Sequence, residues 1–145
     1  SADFVLEPLI SVRSVVTAGR SHPLARRRAL NRADLVPHRW VIADQPHAQD
    51  SFERYFAEEG LPAPRDIFRT NSLNLMMSLV SSGKFLSPLP QHLIDSRSAD
   101  ADLVALSVEA AIERQAGLIY RAGAGSRPAV EHVLAEFRKV ARPSP

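Results

Sequence analysis

A chain of 145 residues with 45% hydrophobic and 23% charged residues has the balance of a folded globular protein, and it is long enough for one domain or two small lobes sharing a core. Its formal charge of +2, with Lys and Arg scattered except at Arg26, Arg27 and Arg28, excludes the clustered basic face of a nucleic-acid binder and leaves the triplet as a solvated turn. The lack of cysteine excludes a disulfide framework and thiolate metal sites and fits a reducing, cytoplasmic compartment.

From Phe4 to Gly19, Val, Ile, Leu and Thr dominate around Pro8, which predicts two short strands, roughly 3 to 7 and 10 to 18. Pro23 and its polar neighbours form a connector in which His22 is a polar turn residue. "RWVIAD" at 39 to 44 is a buried strand. Between 49 and 60, Phe52, Tyr55, Phe56 and Glu59 recur in helical register, with Asp50 or Ser51 as cap and Gly60 as stop. A strand at 66 to 69 follows a proline-bounded loop. Apolar residues around most of the circumference of 71 to 82 predict a helix buried on several sides and ended by Gly83. Then come the strand "FLSPL", the short helix "PQHLIDS" opened by Pro90, and the strands "DLVALSV" and "AGLIYRA". Ser126 caps and Pro128 opens a last amphipathic helix through Val130, Val133, Leu134, Phe137 and Val140. No apolar run approaches the ~20 residues of a membrane helix, so no membrane partner is expected. The alternation of strands and helices predicts parallel βαβ units and an α/β fold with helices on both faces of a sheet.

Few residues carry chemistry. Ser82-Gly83-Lys84 stands between a helix and a strand, the reverse of a phosphate-binding loop, and is a helix stop with a surface lysine. "AGAGS" at 122 to 126 lacks the third glycine of a dinucleotide loop and forms a turn. The five His residues show no metal-ligand spacing, and no Gly-x-Ser-x-Gly elbow exists. No catalytic residue, cofactor or metal is therefore expected, and a small α/β enzyme lacks the titratable pair it would need. Thr70, Asn71 and Ser72 fare better: they follow one strand and precede a helix, as Ala43, Asp44 and Gln45 do after the strand at 40 to 43. Open α/β sheets hold ligands at the carboxyl ends of their strands, where helix starts offer unpaired N–H groups and a positive dipole end. Asn71 or Ser72 also caps the helix in either case.

"VVTAGRSHPLARRRALNRADL", then "RWVIAD", then "TNSLNLMMSLVSSGKFLSPLPQHLI" and a closing amphipathic helix stand in an order and spacing that resembles the effector-binding domain of LysR-type transcriptional regulators, from about Leu9 to Val140. One departure is Val80-Ser81-Ser82-Gly83-Lys84-Phe85, where the family usually has Val-x-x-Gly-x-Gly; this alters the local cleft shape. The resemblance implies a periplasmic-binding-protein-like type II fold, two α/β lobes joined by crossing strands with the first lobe incomplete. Residues 1–37 and 109–145 are then part of the first lobe and 38–108 the whole second lobe. It implies a sensor, not an enzyme, with a small-molecule effector, anionic or polar, held at the helix start of Thr70, Asn71 and Ser72. It further implies a homodimer or tetramer, with the helix at 49 to 60 supplying either interface or core through Phe52, Tyr55 and Phe56. DNA is contacted only through an N-terminal helix-turn-helix outside these residues. The alternative with the same architecture is the solute-binding protein of a transporter. With half of the first lobe elsewhere, exposed sheet edge and apolar surface are expected.

Overall fold

The computed structural model describes residues 3–97, 102–108, 112–124 and 127–141. The chain divides into two compact units, residues 13–112 and residues 1–12 with 113–145. Residues 13–37 fall in the larger unit, where the strand ending at Gly19 carries them through its pairings.

In the larger unit β2 (Trp40–Ile42) and β3 (Ile67–Arg69) run parallel, with Trp40 opposite Ile67 and Ile42 opposite Arg69. Leu86 continues this sheet on the far side of β2, donating to the Arg39 carbonyl at 2.8 Å and accepting from the Val41 N–H at 2.9 Å. Successive residues of a strand point to opposite faces, and β2 feeds two cores in turn. Trp40 and Ile42 join Leu35, Phe52, Tyr55, Phe56 and Leu86, while Val41 joins Met76, Met77, Val80, Leu89 and Leu103. Helix α1 (Pro46–Ala57) thus covers one face and α2 (Leu73–Ser81) the other, the two-sided arrangement expected from the alternation of elements. A second sheet is antiparallel: β1 (Phe4–Gly19) pairs with β4 (Ser87–Pro90) from Ser14↔Pro90 to Thr17↔Ser87, and with β5 (Leu103–Ala105) from Thr17↔Ala105 to Gly19↔Leu103.

Several boundaries differ from the sequence expectation. The two strands around Pro8 are one strand of 16 residues, β1. Through Pro8 its partner among the described residues is β6 (Ile112–Arg121), so one edge is unpaired there, the setting in which a strand tolerates proline. Helix α1 begins at Pro46, ahead of Asp50 and Ser51; Ser51 is interior and its hydroxyl donates to the His47 carbonyl at 2.8 Å. Proline at the first helical position needs no partner for an N–H, so the helix starts there without a side-chain cap. Helix α2 is shorter than predicted and buried on one face only: Met76, Met77 and Val80 are inside, while Leu73 and Leu75 are each 42% exposed. Pro90 closes β4 instead of opening α3 (Gln91–Arg97). β5 is shorter than "DLVALSV" suggested, and β6 longer than "AGLIYRA". Ser126 lies outside the described residues.

The aromatic residues of α1 are core, not interface. Phe52, Tyr55 and Phe56 are 1%, 5% and 0% exposed, and the Trp40 ring stands edge-on to Phe52 at 4.9 Å and to Phe56 at 5.8 Å. Arg32, in the short 3-10 turn Arg32–Leu35, is buried against this helix. Its guanidinium lies 4.2 Å from the Tyr55 ring centroid, donates to the Tyr55 carbonyl, and pairs with Glu58 and Glu59 at 3.0 Å each. A buried cation is tolerable only with such partners.

His22 is a polar turn residue as expected, and it is also buried, being 4% exposed with its ring 4.9 Å from that of His38. Its Nδ1 accepts from the Leu24 N–H at 3.1 Å and caps the 3-10 turn Pro23–Arg26. Burial, with the neighbouring His38 as a smaller cause, pushes its pKa from 6.5 to about 4. The neutral ring is therefore favoured by folding, so its contribution is complete above pH 6.5 and is lost as the pH falls towards 4. The wild type should lose on the order of 3 kcal/mol over this window through His22. His22→Asn keeps a capping acceptor without a titrating ring and should show a flatter urea-unfolding profile from pH 7 to 4. Equal slopes for the two proteins would refute the assignment.

In the smaller unit β1 and β6 pair, and α4 (Pro128–Ala141) lies against one face of the pair. The Glu7 carboxylate ties all three elements together, accepting from Arg138 Nε at 2.7 Å, Arg138 Nη2 at 2.8 Å and the Tyr120 hydroxyl at 3.1 Å. The Arg138 hydrogen bonds hold the Glu7 carboxyl below its usual range.

Candidate functional site

The larger unit brings all six predicted site residues to one edge of one sheet. β2 and β3 are parallel neighbours, so their carboxyl ends emerge side by side. Thr70 then donates its N–H to the Ile42 carbonyl at 3.1 Å, and the Thr70 carbonyl accepts from the Asp44 N–H at 3.3 Å. These two bonds extend the ladder one step past the strands and tie the 43–45 loop to the 70–72 loop. Gln45 is held back against its own turn, its N–H donating to the Ala43 carbonyl at 2.9 Å.

Both loops end in a helix start. Ser72 is the cap of α2: its hydroxyl accepts from the Leu75 N–H at 3.3 Å, and its own N–H donates to the Thr70 hydroxyl oxygen at 3.1 Å. No intrahelical carbonyl reaches the Leu73 and Asn74 N–H groups at such a start. Gln45 caps α1 through its carbonyl, which accepts from Ala48 at 3.0 Å and Gln49 at 3.2 Å, and its side chain is not used. Asp44, Gln45, Asn71 and Ser72 are exposed, and Ala43 and Thr70 half-buried. The arrangement offers hydroxyl, amide and backbone donors beside two positive dipole ends, which suits a small polar or anionic molecule. Among the described residues no group of three or more His, Cys, Asp or Glu could hold a metal ion.

One residue of this edge was missed. Arg69, the last residue of β3, is exposed, makes no ion pair among the described residues, and lies in register with Ile42 on the face covered by α1. A cation at the carboxyl end of a predicted strand was the available signal. Lys84, by contrast, is exposed beyond the α2 stop at Gly83, whose φ of +73° is the left-handed conformation that ends a helix.

Residues 1–142 match the family described as the LysR substrate binding domain. The chain belongs to the LysR substrate-binding domain family. Among proteins similar to this LysR domain, the HTH-type transcriptional regulator GalR of Pseudomonas putida is 30% identical over 143 residues, covering 97% of this chain and 36% of that protein. The RuBisCO operon transcriptional regulator of Allochromatium vinosum is 33% identical over 132 residues, 87% of this chain and 43% of that protein. The LysR domain thus spans less than half the length of these relatives. The regulatory domain of CcmR from Synechocystis, solved in complex with 2-PG, superposes with a TM-score of 0.81 at 19% identity, over 100% of this chain and 70% of that one. That of MetR from N. meningitidis superposes with a TM-score of 0.75 at 13% identity, over 97% of this chain and 65% of that one. The fold is accordingly the periplasmic-binding-protein-like type II fold of LysR regulatory domains.

Proposed function

We propose that this LysR domain is the effector sensor of a bacterial transcriptional regulator and holds a small anionic or polar molecule on the 43–45 and 70–72 loops. The carrying observation is the pair of hydrogen bonds from Thr70 to Ile42 and from Asp44 to Thr70, which places two helix starts side by side. Donors fixed by a sheet before the ligand arrives lose little freedom on binding it. Thr70, Asn71 and Ser72 supply hydroxyl and amide groups, Ala43 leaves room, and Gln45 adds a free side-chain amide. Arg69 supplies the countercharge of an anion, and Asp44 selects against a second negative group near α1. Similarity to the CcmR domain solved in complex with 2-PG supports a small-molecule guest.

The smaller unit is the part of the first lobe present here, and the larger unit contains the second lobe. Occupancy acts by population shift: the effector binds one state of the domain more tightly and moves the equilibrium by that difference in affinity. In a homodimer or tetramer this resets the DNA-binding heads, which lie outside these residues, and the setting is cytoplasmic. Relatives named as transcriptional regulators support a sensor over an enzyme and over a transporter's solute-binding protein.

Calorimetry of the polypeptide carrying this domain against a panel of small phosphates and carboxylates that includes 2-PG tests the reading. Ser72→Ala should lower affinity about tenfold and stability by about 1 kcal/mol without unfolding the protein. Arg69→Gln should lower it roughly 10- to 100-fold for the anions alone, since hydrogen bonds to charged groups are the stronger ones. Unchanged affinities in both variants would remove this edge from the effector site.

A further inference from the structure

The amino ends of the strands in the larger unit carry charge that the effector site does not use. Arg39 and Asp66 stand just before β2 and β3, and Lys84 and Phe85 just before Leu86, which continues that sheet. Residues 21–28 are folded onto the same end. A Cβ on Gly83 would stand 3.2 Å from the His22 nitrogen, and the His22 ring lies 4.9 Å from that of His38. From there the 3-10 turn Pro23–Arg26 leads into Arg27 and Arg28. The arginine triplet thus meets Arg39 and Lys84 on one surface, and all five side chains are exposed. Only two carboxylates stand among them, Asp34 and Asp66. Glu58 and Glu59, at the end of α1, are taken up by the buried Arg32. The surface therefore has an excess of three positive charges, where the whole chain has a formal excess of two.

We propose that this surface docks an acidic, extended segment of a partner protein, with two or three carboxylates lying against Arg26, Arg28 and Lys84. Two of the five cations are already anchored. Arg27 Nη2 reaches Asp34 Oδ1 at 3.1 Å, and Arg39 Nε reaches Asp66 Oδ2 at 2.7 Å with its guanidinium 4.8 Å from the Phe85 ring centroid. Arg26, Arg28 and Lys84 make no ion pair among the described residues. Gathering like charges costs repulsion, which an anionic partner turns into attraction, and a guanidinium takes a carboxylate with two parallel hydrogen bonds. A nucleic-acid duplex fits less well. It presents a charge about every 1.7 Å and cannot step around Asp34 and Asp66. Asp34 cannot swing aside, because its Oδ2 accepts from the Asn31 N–H at 2.9 Å. A peptide can space its carboxylates to avoid both, and can lay apolar side chains on Pro23 and Ala29, which are exposed on either side of the triplet. The inference is independent of the effector site, which lies at the carboxyl ends of the same strands.

The probe is a fluorescent peptide of about twelve residues alternating Glu with Leu and Ala, titrated with the polypeptide carrying this domain and read by polarisation. It should bind with a dissociation constant of roughly 10 to 100 µM at about 50 mM salt, and several-fold more weakly at about 300 mM. The double reversal Arg28→Glu with Lys84→Glu should weaken binding about tenfold or more. The double reversal Arg127→Glu with Lys139→Glu changes the net charge equally on exposed positions of the smaller unit, and should bind like the wild type. In the unaltered protein, hydrogen exchange should slow on peptide binding at residues 21–28 and 83–85. A DNA duplex of about twenty base pairs should bind more weakly than the peptide at either salt concentration. Absence of peptide binding, equal loss in the two double variants, protection confined to other residues, or tighter binding of the duplex would each overturn the proposal.

Discussion

Trp40→Ala should destabilise the larger unit by about 3 to 5 kcal/mol, the usual cost of removing a buried aromatic residue. Trp40 is 1% exposed, stands edge-on to two phenylalanines, and donates its indole N–H to the Leu35 carbonyl at 3.2 Å. It also carries the central strand, with Ile67 on one side and Leu86 on the other. Alanine would leave a cavity between α1 and the sheet and remove one of the two donors to the Leu35 carbonyl, which keeps the His38 N–H at 3.3 Å. Against a total stability of about 5 to 15 kcal/mol, that is enough to populate the unfolded state at 37 °C. Urea denaturation with tryptophan-independent detection, such as far-UV dichroism, measures it. A midpoint lowered by the equivalent of less than about 1 kcal/mol would mean that the aromatic cluster is loosely packed.

Gly19→Ala should cost about 3 kcal/mol, at the upper end of overpacking effects. A Cβ on Gly19 would stand 2.5 Å from the Val80 carbonyl oxygen and 3.0 Å from the Gly83 nitrogen, both backbone atoms that cannot swing aside. The end of β1 would have to part from the end of α2. Gly60→Ala is the natural comparison: its φ of +69° strains a side chain, but nothing lies within 4 Å of the new carbon, so the cost should be about 1 to 2 kcal/mol. Thermal unfolding of the two variants side by side should rank Gly19→Ala as the more damaging. The reverse order would show that the contact between β1 and α2 is not closely packed.

The strand-to-helix transitions at 43–45 and 70–72 were legible because a short apolar β-branched run followed by a polar step and a helical period is a local pattern. Gly83 was legible for the same reason, since a glycine after an apolar helical run is a stop signal that needs no tertiary contact. The start of α1 was not. Asp50 and Ser51 are good caps by type, but Pro46 already has the backbone angle of a first turn, and Ala48 is drawn inside with Phe52. The exposure of Leu73 and Leu75 escaped because hydropathy reports how much of a helix can be buried, not how much neighbouring structure is available to cover it.

By itself the sequence determined the α/β class, the order of elements, the chemical character of the six residues at the helix starts, and the family resemblance, all of which depend on near neighbours along the chain or on a recurring order of motifs. Tertiary structure alone decided that β2 and β3 are adjacent and parallel, so that Thr70 and Asp44 meet across the sheet. It also decided that Phe52, Tyr55 and Phe56 are core and that His22 is buried against His38. Each of these turns on contacts between residues far apart in the chain, and loop closure, pairing register and burial select such contacts only when the whole chain folds.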